Sequence, residues 1–305
     1  MRFIGFVFVY SLLWLLHLVP EKILKLFSCL LYLLMYHVAR YRKKVVSDNL
    51  HLAFPERNSS EIRLIARKFY RHLSDLILEE AIAHFDSDKQ YLQRMRYLNP
   101  ELLHDLFKKG KQVIAVTAHY GNWEFLTSLG VATQYKILGA YKPLKNKYFD
   151  RIVRQNRERC NAVPVPMEKI VRVMIQYHRD KIPALTVFLA DQRPVFRNIQ
   201  YWTKFLGQDT PVYLGPEKLA GKLDAAVVFM KIRKLRFGRY EAQAELICED
   251  PGKLKPFEIT ESHVRILERM IREAPEFWLW SHRRWKHSYE RYLKEKGEQE
   301  PSAEF

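Results

Sequence analysis

The sequence predicts an α/β sandwich in which helices pack on a central sheet, preceded by an apolar helical segment. Short apolar runs rich in β-branched residues recur at 112–118, 136–141, 184–190, 225–232 and 240–249. Between them lie segments of helical periodicity at 123–132, 147–160, 168–179 and 215–222. Alternation on this scale builds a sheet covered by helices. The short link "RKLRFGR" between the last two runs predicts an antiparallel hairpin and so a sheet of mixed direction. With 305 residues and 48% hydrophobic composition, the chain can bury one large core with a small appendage. Three regions follow: 1–45 as an anchor with a basic end, 46–295 as the main α/β body, and 296–305 as a tail.

At the N-terminus, Phe3 to Val19 carries no charge at neutral pH, and Ile23 to Val38 is apolar except for Lys25. Each stretch is close to the ~17 to 25 residues of a spanning helix. No small-residue cleavage site follows Val19, which argues against a removed signal peptide. The expectation is membrane attachment, by one span or by a helix pair dipping into one leaflet. The competing reading is an apolar helix packed on the domain. Arg40, Arg42, Lys43 and Lys44 follow at once. Such a cluster favours the cytoplasmic side and holds phospholipid headgroups at about 1 kcal/mol per basic residue.

Next, "NSSEIRLIARKFYRHLSDLILEEAIAHF" carries apolar residues at helical spacing behind a Ser-Ser-Glu start suited to capping. Near the other end a helix is expected over about 260–274, then a Pro-containing break, an aromatic-basic segment and a frayed tail.

The balance of 51 Lys and Arg against 34 Asp and Glu, a formal +17, implies an anionic partner. In isolation "FWLWSHRRWKHSYERY" suits stacking on single-stranded nucleic acid. Near a membrane the same Trp and Tyr are interface anchors and the Arg residues hold phosphate. The apolar N-terminus decides for lipid, so no nucleic acid is expected. Cys29, Cys160 and Cys248 are isolated and odd in number; this predicts a reducing compartment and no structural zinc, and no other metal and no cofactor are expected.

The chemistry centres on "VIAVTAHYGNWEFL" at 113–126. Spacing alone carries no weight here, because His51/Glu56 and His263/Glu268 repeat the interval of His119/Glu124. Only His119 follows a strong strand, and the strand end is where α/β folds place ligands. Gly121 permits a sharp turn. Glu124, in the first turn of a helix from Trp123, is expected to bend back and hold one imidazole nitrogen. The other nitrogen then takes a proton from a hydroxyl, and the helix N-terminus faces developing negative charge. The alternative is a core histidine satisfied by a carbonyl, with Glu124 favoured by the helix dipole.

Several motifs in order carry a resemblance: "RKKVVSDNLHLAFPE" at 42–56, "HYGNWE" at 119–124, "YKPLKNKYFDRIVRQNRER" at 141–159, "LADQRP" at 189–194, "YLGPEKLA" at 213–220 and "WLWSHRRWK" at 278–286. Together they resemble the lipid A late acyltransferases, lauroyl and myristoyl transferases of lipopolysaccharide synthesis within the His-x4-Asp/Glu acyltransferases. The resemblance implies an αβα sandwich with a mixed central sheet, like that of glycerolipid acyltransferases. It implies transfer of a fatty acyl chain from an acyl thioester, usually acyl carrier protein and alternatively coenzyme A, to a hydroxyl of a lipid A precursor. The place would be the cytoplasmic face of the bacterial inner membrane, among its phospholipids. By position, His119 is the general base and Glu124 its partner, while Arg157 and Asp191 match further polar site residues. Asn122, Lys142, Gln192, His282 and Arg283 complete the candidate set. Arg154 and Arg159 compete with Arg157 as the inward residue, Asp191 also suits a strand-ending turn, and Lys142 with Lys145 also suits a basic surface. Another glycolipid or a lysophospholipid is the alternative acceptor. A non-enzymatic membrane-tethered binder of nucleic acid or carrier protein would explain the charge, but not a histidine at a strand end.

Overall fold

The computed structural model describes residues 2–143, 146–158 and 160–297. Among these the strands are β1 (Met95–Tyr97), β2 (Val113–Thr117), β3 (Lys136–Tyr141), β4 (Ala162–Pro166), β5 (Ala184–Leu189), β6 (Tyr201–Phe205), β7 (Gln208–Val212), β8 (Ala226–Arg236) and β9 (Arg239–Cys248). The α-helices are α1 (Arg2–His17), α2 (Glu21–Leu33), α3 (Lys43–Ala53), α4 (Ser59–Ala83), α5 (Asp88–Leu92), α6 (Pro100–Lys108), α7 (Leu129–Ala132), α8 (Lys147–Glu158), α9 (Ile170–Arg179), α10 (Gly215–Leu223), α11 (Glu258–Glu273) and α12 (Tyr289–Gly297).

Seven strands form one sheet in the order β1-β9-β8-β2-β5-β3-β4. β2 lies at its middle, parallel to β5 on one side and β8 on the other. The expected hairpin is β8–β9, and it reverses the direction at one end of the sheet, where β1 runs parallel to β9. All five residues of β2 are buried, which is why it reads as a continuous apolar run rather than an alternating one. Ile114 and Val116 join the core under α4 and α11, whereas Val113 and Ala115 face α6 and α7. Helices therefore cover both faces, as the alternation predicted.

Four strands had no clear signal. β1 is only three residues long. β4 contains Pro164 and Pro166, and it is the edge strand beyond β3, where a missing N–H is tolerated. β6 and β7 form a separate hairpin whose turn residues, Leu206 and Gly207, both have positive φ. That turn favours Asn-Gly or Asp-Gly, so a leucine in it hides the signal. The segment 123–132 also departs from the expected helix: Trp123–Ser128 is a 3-10 turn, followed by the four residues of α7.

Capping of α4 begins one residue earlier than the Ser-Ser-Glu reading. The Asn58 side chain accepts from Ser60 N and Glu61 N, and Glu61 accepts from Asn58 N, a reciprocal box. α1 and α2 rest on this helix. Leu24 packs with Leu78, Ile82 and Phe237 of the β8–β9 turn, and Ser28 Oγ donates to Asp75 at 2.5 Å. No single described helix is long and apolar enough to cross a membrane. The 16 residues of α1 rise roughly 24 Å against a hydrocarbon core of about 30 Å. Glu21–Val38 and Lys43–Ala53 could do so only as a pair bent by 88°. The outward faces nevertheless stay apolar, with Phe8 71% and Val38 73% exposed. The end of the tail, 298–305, lies outside the described residues.

Candidate active site

The parallel register of β2 and β5 builds the centre of the site. Thr117 is paired with Leu189, and Ala190 N donates to Thr117 O at 3.0 Å. Two residues further along each chain, His119 and Asp191 therefore leave the sheet side by side. His119 Nδ1 lies 2.7 Å from Asp191 Oδ1, and Trp278 Nε1 donates to Asp191 Oδ2 at 2.8 Å. The Trp278 segment is itself pinned to the loop: Leu279 N donates to His119 O, and Gly121 N to Phe277 O.

The electrostatics assign the protons. Burial works against the charged form of Asp191, but the facing His119 and the hydrogen bonds from His119 and Trp278 outweigh it and hold the carboxyl below its ordinary range. Burial also opposes the imidazolium of His119, yet the Asp191 charge and hydrogen bond leave its pKa raised. With Asp191 ionised, the neutral form of the ring carries its proton on Nδ1 and its lone pair on Nε2. Gln192 Nε2 stands 3.3 Å from Nε2. The Trp123 ring meets the imidazole edge-on at 4.8 Å between centroids.

Glu124 is not the imidazole's hydrogen-bond partner, contrary to the sequence expectation. Its carboxylate accepts from Arg157 Nη2 at 3.0 and 3.3 Å, while Arg157 Nη1 donates to Ala140 O at the end of β3. The reason is register: Asp191 occupies Nδ1 from the adjacent strand, and the 3-10 turn directs Glu124 toward α8. Arg157 is thus the inward residue of its motif. Arg154 pairs with Glu158 on the exposed face, and Arg159 lies outside the described residues.

His119, Trp123, Glu124, Arg157 and Gln192 line a cavity of about 500 Å³, within the size range of small-molecule sites. Much of its remaining wall is apolar, including Ile137, Ala162, Ile170, Val171 and Val187, between the sheet and α9, and Arg193 and Asn198 add polar groups. Asn122 does not reach it. Its buried amide instead donates to Glu79 Oε2 at 3.1 Å, and Glu79 also accepts from Gly238 N and Tyr240 Oη, which fixes the base of the His119 loop. Next to it, burial and then the Glu124 charge push Glu80 up to about 8. Lys142 is exposed one residue past β3, and Lys145 is outside the described residues. Arg283 also extends into solvent, offering only its carbonyl to Arg193 Nε. His282 lines a neighbouring cavity together with Gln192.

The other two His/Glu pairs are structural. His51 bonds Ser47 O within α3, and buried His263 sits inside α11. Sequence reasoning missed Trp278 as the second donor to Asp191, although it opens a quoted motif, and it missed Glu79. Among the described residues, no group of three or more His, Cys, Asp or Glu could hold a metal ion.

The bacterial lipid A biosynthesis acyltransferase family matches residues 1–287. The chain belongs to this family. Family membership makes it an acyltransferase of lipid A biosynthesis, in agreement with the ordered motifs. The chain is also similar to the lipid A biosynthesis lauroyltransferase of Escherichia coli (strain K12), with 23% identity over 277 residues, 90% of this chain and 89% of that protein. The α/β fold with its mixed sheet is the one this family membership leads one to expect.

Gly121 holds the loop from His119 to Glu124 in shape. Its φ is +61°, and an added Cβ would lie 2.8 Å from Ile232 Cγ2. Gly121→Ala is therefore expected to lower stability by about 1–3 kcal/mol, read as a lower midpoint in denaturant. An unchanged midpoint would contradict the tight fit described for this loop.

Proposed function

We propose that this acyltransferase moves a fatty acyl chain from an acyl thioester, carried by acyl carrier protein, to a hydroxyl of a lipid A precursor. The observation that carries the reading is the His119–Asp191 pair at the wall of an apolar cavity. His119 Nε2 takes the hydroxyl proton as the oxygen attacks the thioester carbonyl. A C–O bond forms, the tetrahedral intermediate collapses with cleavage of the C–S bond, and the imidazolium returns its proton to the leaving thiolate. The Gln192 amide stands beside the point of attack and suits the developing oxyanion. Glu124 serves by holding Arg157 at the cavity wall, where the guanidinium faces anionic substrate. The apolar cavity accommodates the acyl chain.

The exposed apolar faces of α1 and α2 support seating in the cytoplasmic leaflet of the inner membrane, as a helix pair at the interface. The +17 charge suits both a phosphorylated lipid and an acidic carrier protein.

The test is purified protein supplied with a lipid A precursor and acyl carrier protein thioesters of graded chain length, with the lipid product weighed by mass spectrometry. One acyl increment is expected, with one band of chain lengths preferred. Transfer to a lysophospholipid in preference to the precursor, or no transfer at all, would overturn the reading.

A further inference from the structure

A second cavity shares Gln192 with the one that His119 lines. The second, about 450 Å³, is lined in part by Met35, Arg42, Ile77, Leu279 and His282. Gln192 lines both cavities, and its Nε2 stands 3.3 Å from His119 Nε2.

The wall of this second groove is held by defined bonds. Arg40 and Arg42 both adopt left-handed backbone, with φ of 48° and 49°, a conformation that costs non-glycine residues energy. Arg42 Nη1 donates to Ser281 O at 2.9 Å, and Tyr70 Oη to Tyr41 O at 2.5 Å. Asn49 Nδ2 donates to Trp280 O at 2.8 Å and His282 O at 2.6 Å. Two motifs more than two hundred residues apart, at 42–56 and 278–286, are thereby locked together around the groove.

The first cavity combines a long apolar wall, suited to one unbranched chain, with Arg157 and Arg193. The second carries the Arg42 cation and the enclosed His282 Nε2, which has no hydrogen-bond partner among the described residues. Burial, then Arg193 and Arg284, lower the His282 pKa to about 4, so at neutral pH the ring is uncharged. Met35 lies in the turn where Leu34 and Val38 are exposed, so the groove adjoins the apolar outer face of the N-terminal helices.

We infer that this second groove receives the acceptor, a phosphorylated glycolipid drawn from the membrane, so that its hydroxyl meets His119 Nε2 past Gln192 while the donor chain lies in the first cavity. The inference rests on the transfer reaction proposed above.

The experiment uses the full chain in mixed micelles, with lipid A precursor and acyl carrier protein thioester varied separately. Ile77 is 42% exposed, so Ile77→Trp obstructs the groove without overfilling the core. Arg42→Gln removes the charge from an exposed side chain and serves as the second probe. Both are expected to raise the acceptor KM about tenfold, with the donor KM held within about twofold. Val171→Trp, in the first cavity, is expected to do the reverse. The inference is overturned if both groove variants keep the parent's acceptor KM or raise the donor KM instead. A parent protein that acylates no lipid A precursor defeats the proposed function, an outcome separate from this one.

Discussion

His119→Ala is expected to slow acyl transfer by about 10²–10⁴-fold, the contribution of a positioned general base, while the protein stays folded. Folding should survive because Trp278 still donates to Asp191, and an unpaired buried carboxyl can take up a proton. The measurement is the initial rate with saturating thioester and acceptor, alongside a melting curve. A variant with full activity would remove His119 from the chemistry. A variant that fails to fold would show that the pair is primarily structural.

Asp191→Asn is expected to cost nearly as much, roughly 10²–10⁴-fold, because an amide no longer secures the tautomer that leaves Nε2 unprotonated; the corresponding change in serine proteases acts this way. It also carries a pH signature. With His119 as the proposed base, the neutral imidazole is the active form, and kcat/KM is expected to rise with pH through the His119 pKa. In the parent, burial works against the charged form, but Asp191 more than offsets it and raises that pKa above its ordinary 6.5. Removing the carboxylate leaves burial in command, so the acidic limb of the residual activity should move to lower pH. A limb that stays in place in Asp191→Asn would show that Asp191 does not set the basicity of His119.

Where the sequence was legible, it was so for physical reasons. β2 and the first halves of β5 and β8 are buried on both faces, and such stretches announce themselves as apolar runs rich in β-branched residues. His119, Arg157, Asp191 and Gln192 do converge. The partner of the imidazole was misread because local spacing favours Glu124, five residues away, whereas pairing of Thr117 with Leu189 delivers Asp191 from 72 residues away. Strand register is a tertiary fact that neither motif displays. Asn122 looked like a site residue for a similar reason: its place in the loop was plain, but its attachment to Glu79 on α4 was not. The β6–β7 turn and the proline-bearing β4 lacked the local chemistry by which such elements are recognised. The N-terminal apolar stretches were visible at once, yet their division into short helices folded against α4 depends on packing that composition does not reveal.

The most direct test of the account is the mass of lipid A in a bacterial strain lacking this gene, with the gene then restored as parent or as His119→Ala. The account predicts loss of one acyl chain in the deletion strain, recovery with the parent and no recovery with His119→Ala. Lipid A of unchanged mass in the deletion strain, or full recovery with His119→Ala, would contradict it.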